Sequence, residues 1–290
     1  MAQAQAPSTF FGGSGGGGSS DTSLGELAIV QAMNAQSVGY AWRLIDDASG
    51  LSGSLDRLYG MTVTSNTIAE IAASSADMAA LLANAEALAS MAKSNDFCNA
   101  VVASSTAMNE IAATAATLRA VFAAPELFGA IMADATARGT LTASTALSAV
   151  TIPDHSTGVN SSGVGEISAS SIQSSSAGAS YAVDSSVSGS YWVPDSHPAW
   201  LEYEFNSPCF IHTAAWHRGT FGSNKPESGT LQAYVDGAWR DIVDMPVSGS
   251  GVETVYLPET FKSTRWRINN VSRSSGNVLV SDFRLYGFYD

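Results

Sequence analysis

Thr67-Ile-Ala-Glu-Ile-Ala-Ala-Ser-Ser75, Asp77-Met-Ala-Ala-Leu-Leu-Ala-Asn84 and Ala107-Met-Asn-Glu-Ile-Ala-Ala-Thr114 are variants of one phrase, which returns every ten residues from about 66 to about 145. One apolar column runs Ile68, Met78, Leu88, Cys98, Met108, Leu118 and Phe128. A second runs Ile71, Leu81, Met91, Val101, Ile111, Val121, Ile131 and Leu141. An internal repeat decides the architecture of the segment that carries it, so it is read first.

Within a unit the columns stand three residues apart, and the next unit begins seven later. Both are helical spacings, which bring the columns together on one face. The units are rich in Ala, the best helix former. Ser, Thr, Asn and Asp recur at the junctions, where N-caps sit. Pro125 falls just before Glu126, in a first-turn position that accepts it. Ten residues in three turns is about 3.33 per turn, tighter than a heptad, so a continuous coiled coil would be overwound. Either the helix breaks into stubs near the junctions or it supercoils tightly. An ordinary helical bundle also fits the pattern. The stripe is narrow and mostly Ala, so a partner has to cover it, and a self-associating stalk is expected.

The formal charge of −13 and pI near 4.5 argue against nucleic acid, which calls for a basic patch. They argue equally against anionic membrane surfaces. No stretch approaches the roughly 18 apolar residues that span a bilayer, so no membrane insertion is expected. Cys98 and Cys209 are the only cysteines, far apart in sequence, and give neither a disulfide framework nor zinc spacing. The start, Met1-Ala-Gln-Ala-Gln-Ala-Pro-Ser, lacks the basic and apolar regions of a secretory signal.

The chain divides into four parts. Residues 1–21 contain Phe10-Phe11 and a Gly/Ser tract, a flexible linker whose two aromatics read either as an anchor or as a frayed terminus without function. Residues 22–62 read as a helical base or collar, in which Asp46-Asp47 marks a helix end. Residues 63–150 are the decad stalk. Beyond Ile152-Pro153-Asp154, over 151–290, alternation takes over. Trp200-Leu-Glu-Tyr-Glu-Phe205 places Leu201, Tyr203 and Phe205 on one face and Glu202 and Glu204 on the other. Thr230-Leu-Gln-Ala-Tyr-Val-Asp236 also alternates, and Asp236-Gly237 is a hairpin turn signal. Arg265-Trp-Arg-Ile-Asn269 and Ser281-Asp-Phe-Arg-Leu-Tyr286 follow. The fold class is therefore α+β and multidomain: a helical decad-repeat stalk, then a β-sandwich.

Ala182-Val-Asp184 with Tyr191-Trp192, Ile211-His-Thr-Ala-Ala-Trp216, Ser228-Gly-Thr-Leu-Gln-Ala-Tyr234 with Trp239, and Ser281-Asp-Phe-Arg-Leu-Tyr-Gly287 carry a family likeness. With the strands above, they make the region from about 153 to 290 resemble the coagulation-factor C-type or discoidin domain, a galactose-binding-like jelly roll. The decad phrase separately resembles repeats of bacteriophage and prophage tail fibres. Together the resemblances imply a virion fibre or spike protein, assembled in the host cytoplasm. It would be a homotrimer, held to other virion proteins by its N-terminus, with a tip that binds host-surface polysaccharide. The alternative is a purely structural virion component whose jelly roll docks to another protein.

The resemblance also implies a sugar site on the loops at one end of the sandwich. Arg218 and Asn224 are the candidate hydrogen-bonding pair, His217 or His197 the imidazole, and Phe221 the aromatic platform. Some family members hold a structural calcium, whose ligands would map to Asp184, the loop from Ser185 to Ser188, and Asp282. Here Asp282 stands where the family has a glutamate. For catalysis there is no Gly-x-Ser-x-Gly elbow, His-Glu-x-x-His or phosphate loop, so no enzymatic activity is expected. Glu202 and Glu204 share one face of a strand and are expected to be exposed there, without the burial that sets acid and base roles apart.

Overall fold

A computed structural model describes residues 68–153, 155, 160–184, 191–218, 224–248, 251–274 and 276–290. The expected anchor, linker and collar lie outside these residues.

The decads form stubs. Among the described residues there are eight short helices: α1 Ile68–Ala73, α2 Ser75–Leu82, α3 Ala85–Ala92, α4 Asn95–Ala103, α5 Ser105–Ala113, α6 Ala115–Phe122, α7 Pro125–Ala133 and α8 Ala135–Thr142. The fourth residue of each decad stops one helix and caps the next. Ser74, Asn84, Ser94 and Ser104 accept from the backbone N–H three residues on, and Asp134 from those two and three on. Thr114 forms a reciprocal capping box with Thr117. Ala124 has no such side chain, and there Pro125 opens the helix instead.

Stubs of six to nine residues are too short to hold themselves. They stack on every third neighbour: α1 on α4, α2 on α5, α4 on α7 and α5 on α8. Three stubs make one coil of a solenoid, thirty residues long. Two hydrogen bonds, each spanning 32 residues, tie one coil to the next: Ser104 Oγ donates to Ala72 O at 2.5 Å, and Ser144 Oγ to Ala112 O at 2.7 Å. Both anticipated columns are buried in the coil interior. Their flanks, among them Leu82, Phe97, Phe122, Leu127 and Met132, are buried with them. The stripe is thus wider than the columns suggested, and the chain's own next coil covers it. The reason for invoking sister copies, and with it the projecting stalk, is removed.

The β region is an antiparallel sandwich of eight strands: β1 Ala149–Thr151, β2 Gly165–Ala169, β3 Ala199–His217, β4 Ser228–Val235, β5 Ala238–Asp244, β6 Val252–Tyr256, β7 Lys262–Ser272 and β8 Asp282–Tyr289. Strand β3 belongs to both layers. Its first half pairs with β2 and β7, the latter continuing to β4 and β5. Its second half pairs with β8 and β6, with β1 beyond β8. Register shifts between Glu204 and Cys209, and again between Ile211 and Thr213, let it turn the corner. The expected turn is present, with Asp236 and Gly237 at φ +52° and +81°. Leu201, Tyr203, Trp216, Trp266 and Phe283 fill the interior. Glu202 departs from expectation: only Glu204 is exposed, while Glu202 is 5% exposed and pairs with Arg265 at 2.6 Å.

Solenoid and sandwich share one hydrophobic core. Phe122 packs against Phe210 and Phe288, the Arg138 guanidinium lies 3.6 Å over the Tyr256 ring, and Arg119 pairs with Asp290. Gly129 abuts the Pro258 carbonyl so closely that a Cβ would lie 2.8 Å from the oxygen. Cys98 and Cys209 are free and buried, and burial pushes their thiols up to about 11 and about 12.

Candidate functional site

Three connections meet at one end of the sandwich. The first leads through the cis His197–Pro198 peptide into β3, the second leaves β3 at Arg218 and re-enters at β4, and the third joins β7 to β8. Backbone bonds hold them together: Trp192 N donates to Val280 O, Leu279 N to Asn224 O at 2.9 Å, and Ser281 N to His217 O at 2.9 Å.

On the rim is a polar cluster. Asn224 Oδ1 accepts from Arg273 Nη1 at 3.3 Å, which leaves the Asn224 amide N–H groups as donors. Glu227 accepts from Ser274 N at 2.9 Å and Ser274 Oγ at 3.2 Å, with Arg273 Nε 3.6 Å away. The two Ser274 bonds, then the guanidinium, hold the Glu227 carboxyl below the usual carboxylate range. His197 is exposed, and its Nε2 lies 3.0 Å from Gly276 O, where Gly276 takes φ +81°. The sequence-read Asn224 and His197 therefore sit on one rim, joined by the segment 276–279.

Arg218 and His217 lie beneath that rim. The Arg218 guanidinium is buried: Nη2 donates to Glu253 at 2.6 Å, and Nη1 to Val247 O at 2.6 Å and Pro226 O at 3.3 Å. It is a strut that ties the β3–β4 connection to β6, and its expected role as a sugar ligand is corrected accordingly. A buried guanidinium keeps its place only by spending its donors inside. His217 is 4% exposed, with Nδ1 2.5 Å from Ser281 Oγ. Burial, then Lys225 and Arg218, push its imidazole below the ordinary range, so it is neutral at pH 7. Phe221 lies outside the described residues.

Sequence reading missed Arg273, Glu227 and Ser274. The signal was present in Ser272-Arg-Ser-Ser-Gly276, a lone cation in a Ser/Gly turn between two strands.

The calcium donors do not fit among the described residues. Asp282 Oδ1 is paired with Arg284 Nε at 2.9 Å. Arg284 Nη1 donates to Ile152 O and Pro153 O at 3.2 Å and to Val183 O at 3.3 Å, beside Asp184. A side-chain cation thus already gathers the oxygens that a hard metal would use. Ser185 to Ser188 lie outside the described residues, and no group of three or more His, Cys, Asp or Glu comes together among those described.

No protein-family model and no curated relative matches the chain. Several solved structures have a similar shape. Chitosan-binding module 1 of a chitosanase/glucanase from Paenibacillus sp. IK-5 is 19% identical, with a TM-score of 0.37, over 46% of this chain and 99% of that one. The family 32 carbohydrate-binding module of C. perfringens NanJ, in complex with galactose, is 18% identical, with a TM-score of 0.37, over 42% and 93%. An F5/8 type C domain from Bacteroides fragilis is 14% identical, with a TM-score of 0.39, over 50% and 98%. At these scores the likeness is one of shape and says nothing of what this chain binds.

Proposed function

We propose that this protein binds carbohydrate at the loop end of its sandwich, as a recognition module and not a catalyst. The observation that carries the reading is the rim cluster of Asn224, Arg273, Glu227, Ser274 and His197, tied by the Arg273 hydrogen bond to Asn224, the Arg273–Glu227 ion pair and the Ser274 bonds to Glu227. An amide, a guanidinium, a carboxylate, a hydroxyl and an imidazole give donors and acceptors of both kinds in a small area. That mixture suits neighbouring hydroxyl groups of a sugar. The guanidinium and carboxylate offset each other, which favours a neutral ligand over an ionic one.

The setting we propose is host-surface recognition by a virion fibre or spike protein, a reading supported by the likeness of the decads to tail-fibre repeats. The solenoid would then present the sandwich without needing a trimer. A glycan array probed with the native chain and with Asn224→Ala tests the proposal. Binding to neutral glycans that disappears in the variant, at unchanged Tm, supports it. No glycan above background, or equal binding by both proteins, would sink it.

A further inference from the structure

Beside the loop-end cluster, on the outer face of the β4–β5–β7 sheet, is a recess of about 320 Å³ lined by Pro198, Thr230, Gln232, Asp241, Asn269 and Asn270. Its polar groups are held in fixed directions. Arg267 Nε donates to Gln232 Oε1 at 2.6 Å, and Gln232 Nε2 donates to Asp241 Oδ1 at 2.5 Å. Thr230 Oγ1 donates to Asp244 at 2.9 Å, so its lone pairs remain to accept. Thr230 stands opposite Asn269, and Gln232 opposite both Arg267 and Asp241. Trp239 is two residues before Asp241 on the same side of β5, under the Arg267 guanidinium at 4.0 Å. The recess thus offers amides, a hydroxyl and a carboxylate whose charge is balanced by Arg267, with Pro198 as an apolar edge. That chemistry fits a neutral polyol and disfavours an ion.

The recess adjoins the rim. His197 belongs to the loop-end cluster, and the next residue, Pro198, lines the recess. Between them Ser228 Oγ bonds Asn270 O at 2.6 Å and Ser272 Oγ at 2.7 Å. Glu227 and Arg273 flank this bridge. From Ser228 to Thr230 is two strand residues, about 7 Å.

We propose that the recess is a second sugar subsite, continuous with the first, so that the protein takes a run of neighbouring units in an oligosaccharide. This rests on the carbohydrate reading of the loop end. The test is calorimetric titration of the whole chain with galacto-, cello- and chito-oligosaccharide ladders of one to six units, repeated with Asn269→Ala and Asn270→Gly, each checked for unchanged Tm. The expected result is an affinity rising about tenfold or more between one and four units, a second contact made within one ligand. The variants should flatten that rise and keep single-unit binding. Equal affinity at every length, or a rise that both variants leave intact, overturns the second subsite while the loop-end reading stands. If no ladder binds, both fall.

Discussion

The rings of Phe122 and Phe210 lie 4.7 Å apart, one at the end of a helical stub and the other at the corner of the strand shared by both sheets. Phe288 stacks on the same Phe122 ring from β8 at 6.1 Å. This contact joins the solenoid to the sandwich. Phe122→Ala should cost about 3–5 kcal/mol, the range for truncating a buried aromatic. Because the core is continuous, the loss should appear in both regions. Urea unfolding followed by far-UV circular dichroism for the helices and, in a Trp42→Phe background, tryptophan fluorescence for the sandwich should give coincident transitions that move together. A fluorescence transition left in place would show two independent units.

Arg218 and Glu253 form an ion pair with side chains 6% and 11% exposed. Removing one partner strands the other charge, so Arg218→Ala should destabilise by about 3–5 kcal/mol. Arg218→Met with Glu253→Leu should recover much of that loss, since the pair is exchanged for apolar packing. Chemical denaturation of the three proteins checks this. A fully stable Arg218→Ala would contradict the strut.

If Arg284 serves as the internal cation, calcium is not needed at Asp282. The native chain should melt at the same temperature in calcium and in chelator. Arg284→Ala should lower Tm, because three backbone carbonyls lose a donor worth about 1.5–3 kcal/mol in a single charged hydrogen bond, and Asp282 loses its ion-pair partner. A calcium-dependent rise in the native Tm would contradict the assignment.

His212 is buried against Phe288, with its ring nitrogen 2.8 Å from Thr213 Oγ1, and burial pushes its imidazole down from 6.5 to about 4. The unfolded chain therefore binds more protons between those values. The stability due to neutral His212 is complete above about 6.5 and is lost as pH falls towards 4, amounting to about 3 kcal/mol. His217 shifts the same way and adds to the slope. His212→Leu should flatten the decline in urea stability measured from pH 7 to pH 4. An unchanged slope would remove His212 as its source.

Much of the architecture was legible in the chain. The caps at Ser74, Asn84 and Ser104 and the columns of Ile71 and Leu81 are local signals, and they mark the stubs. The alternation from Trp200 to Phe205 and the Asp236-Gly237 turn likewise mark strands. What covers the columns was not legible, because stacking every third helix is a long-range choice that the same ten-residue phrase leaves open. The loop end shows the same divide. Asn224 was named through the family resemblance and stands on the rim, whereas Arg218 and Arg273 look alike in sequence. Only the approach of Glu253 and Val247 makes one a strut, and only the approach of Glu227 puts the other on the rim.

The most direct test of carbohydrate recognition is to map where a bound sugar touches the protein. Backbone amide shifts of the ¹⁵N-labelled chain would be followed during titration with a neutral glycan identified on the array. The expected result is a saturable set of shifts centred on Asn224, Glu227, Ser274 and Gly276, with the helical coils silent. Shifts centred on the solenoid, or none at saturating sugar, would contradict the account.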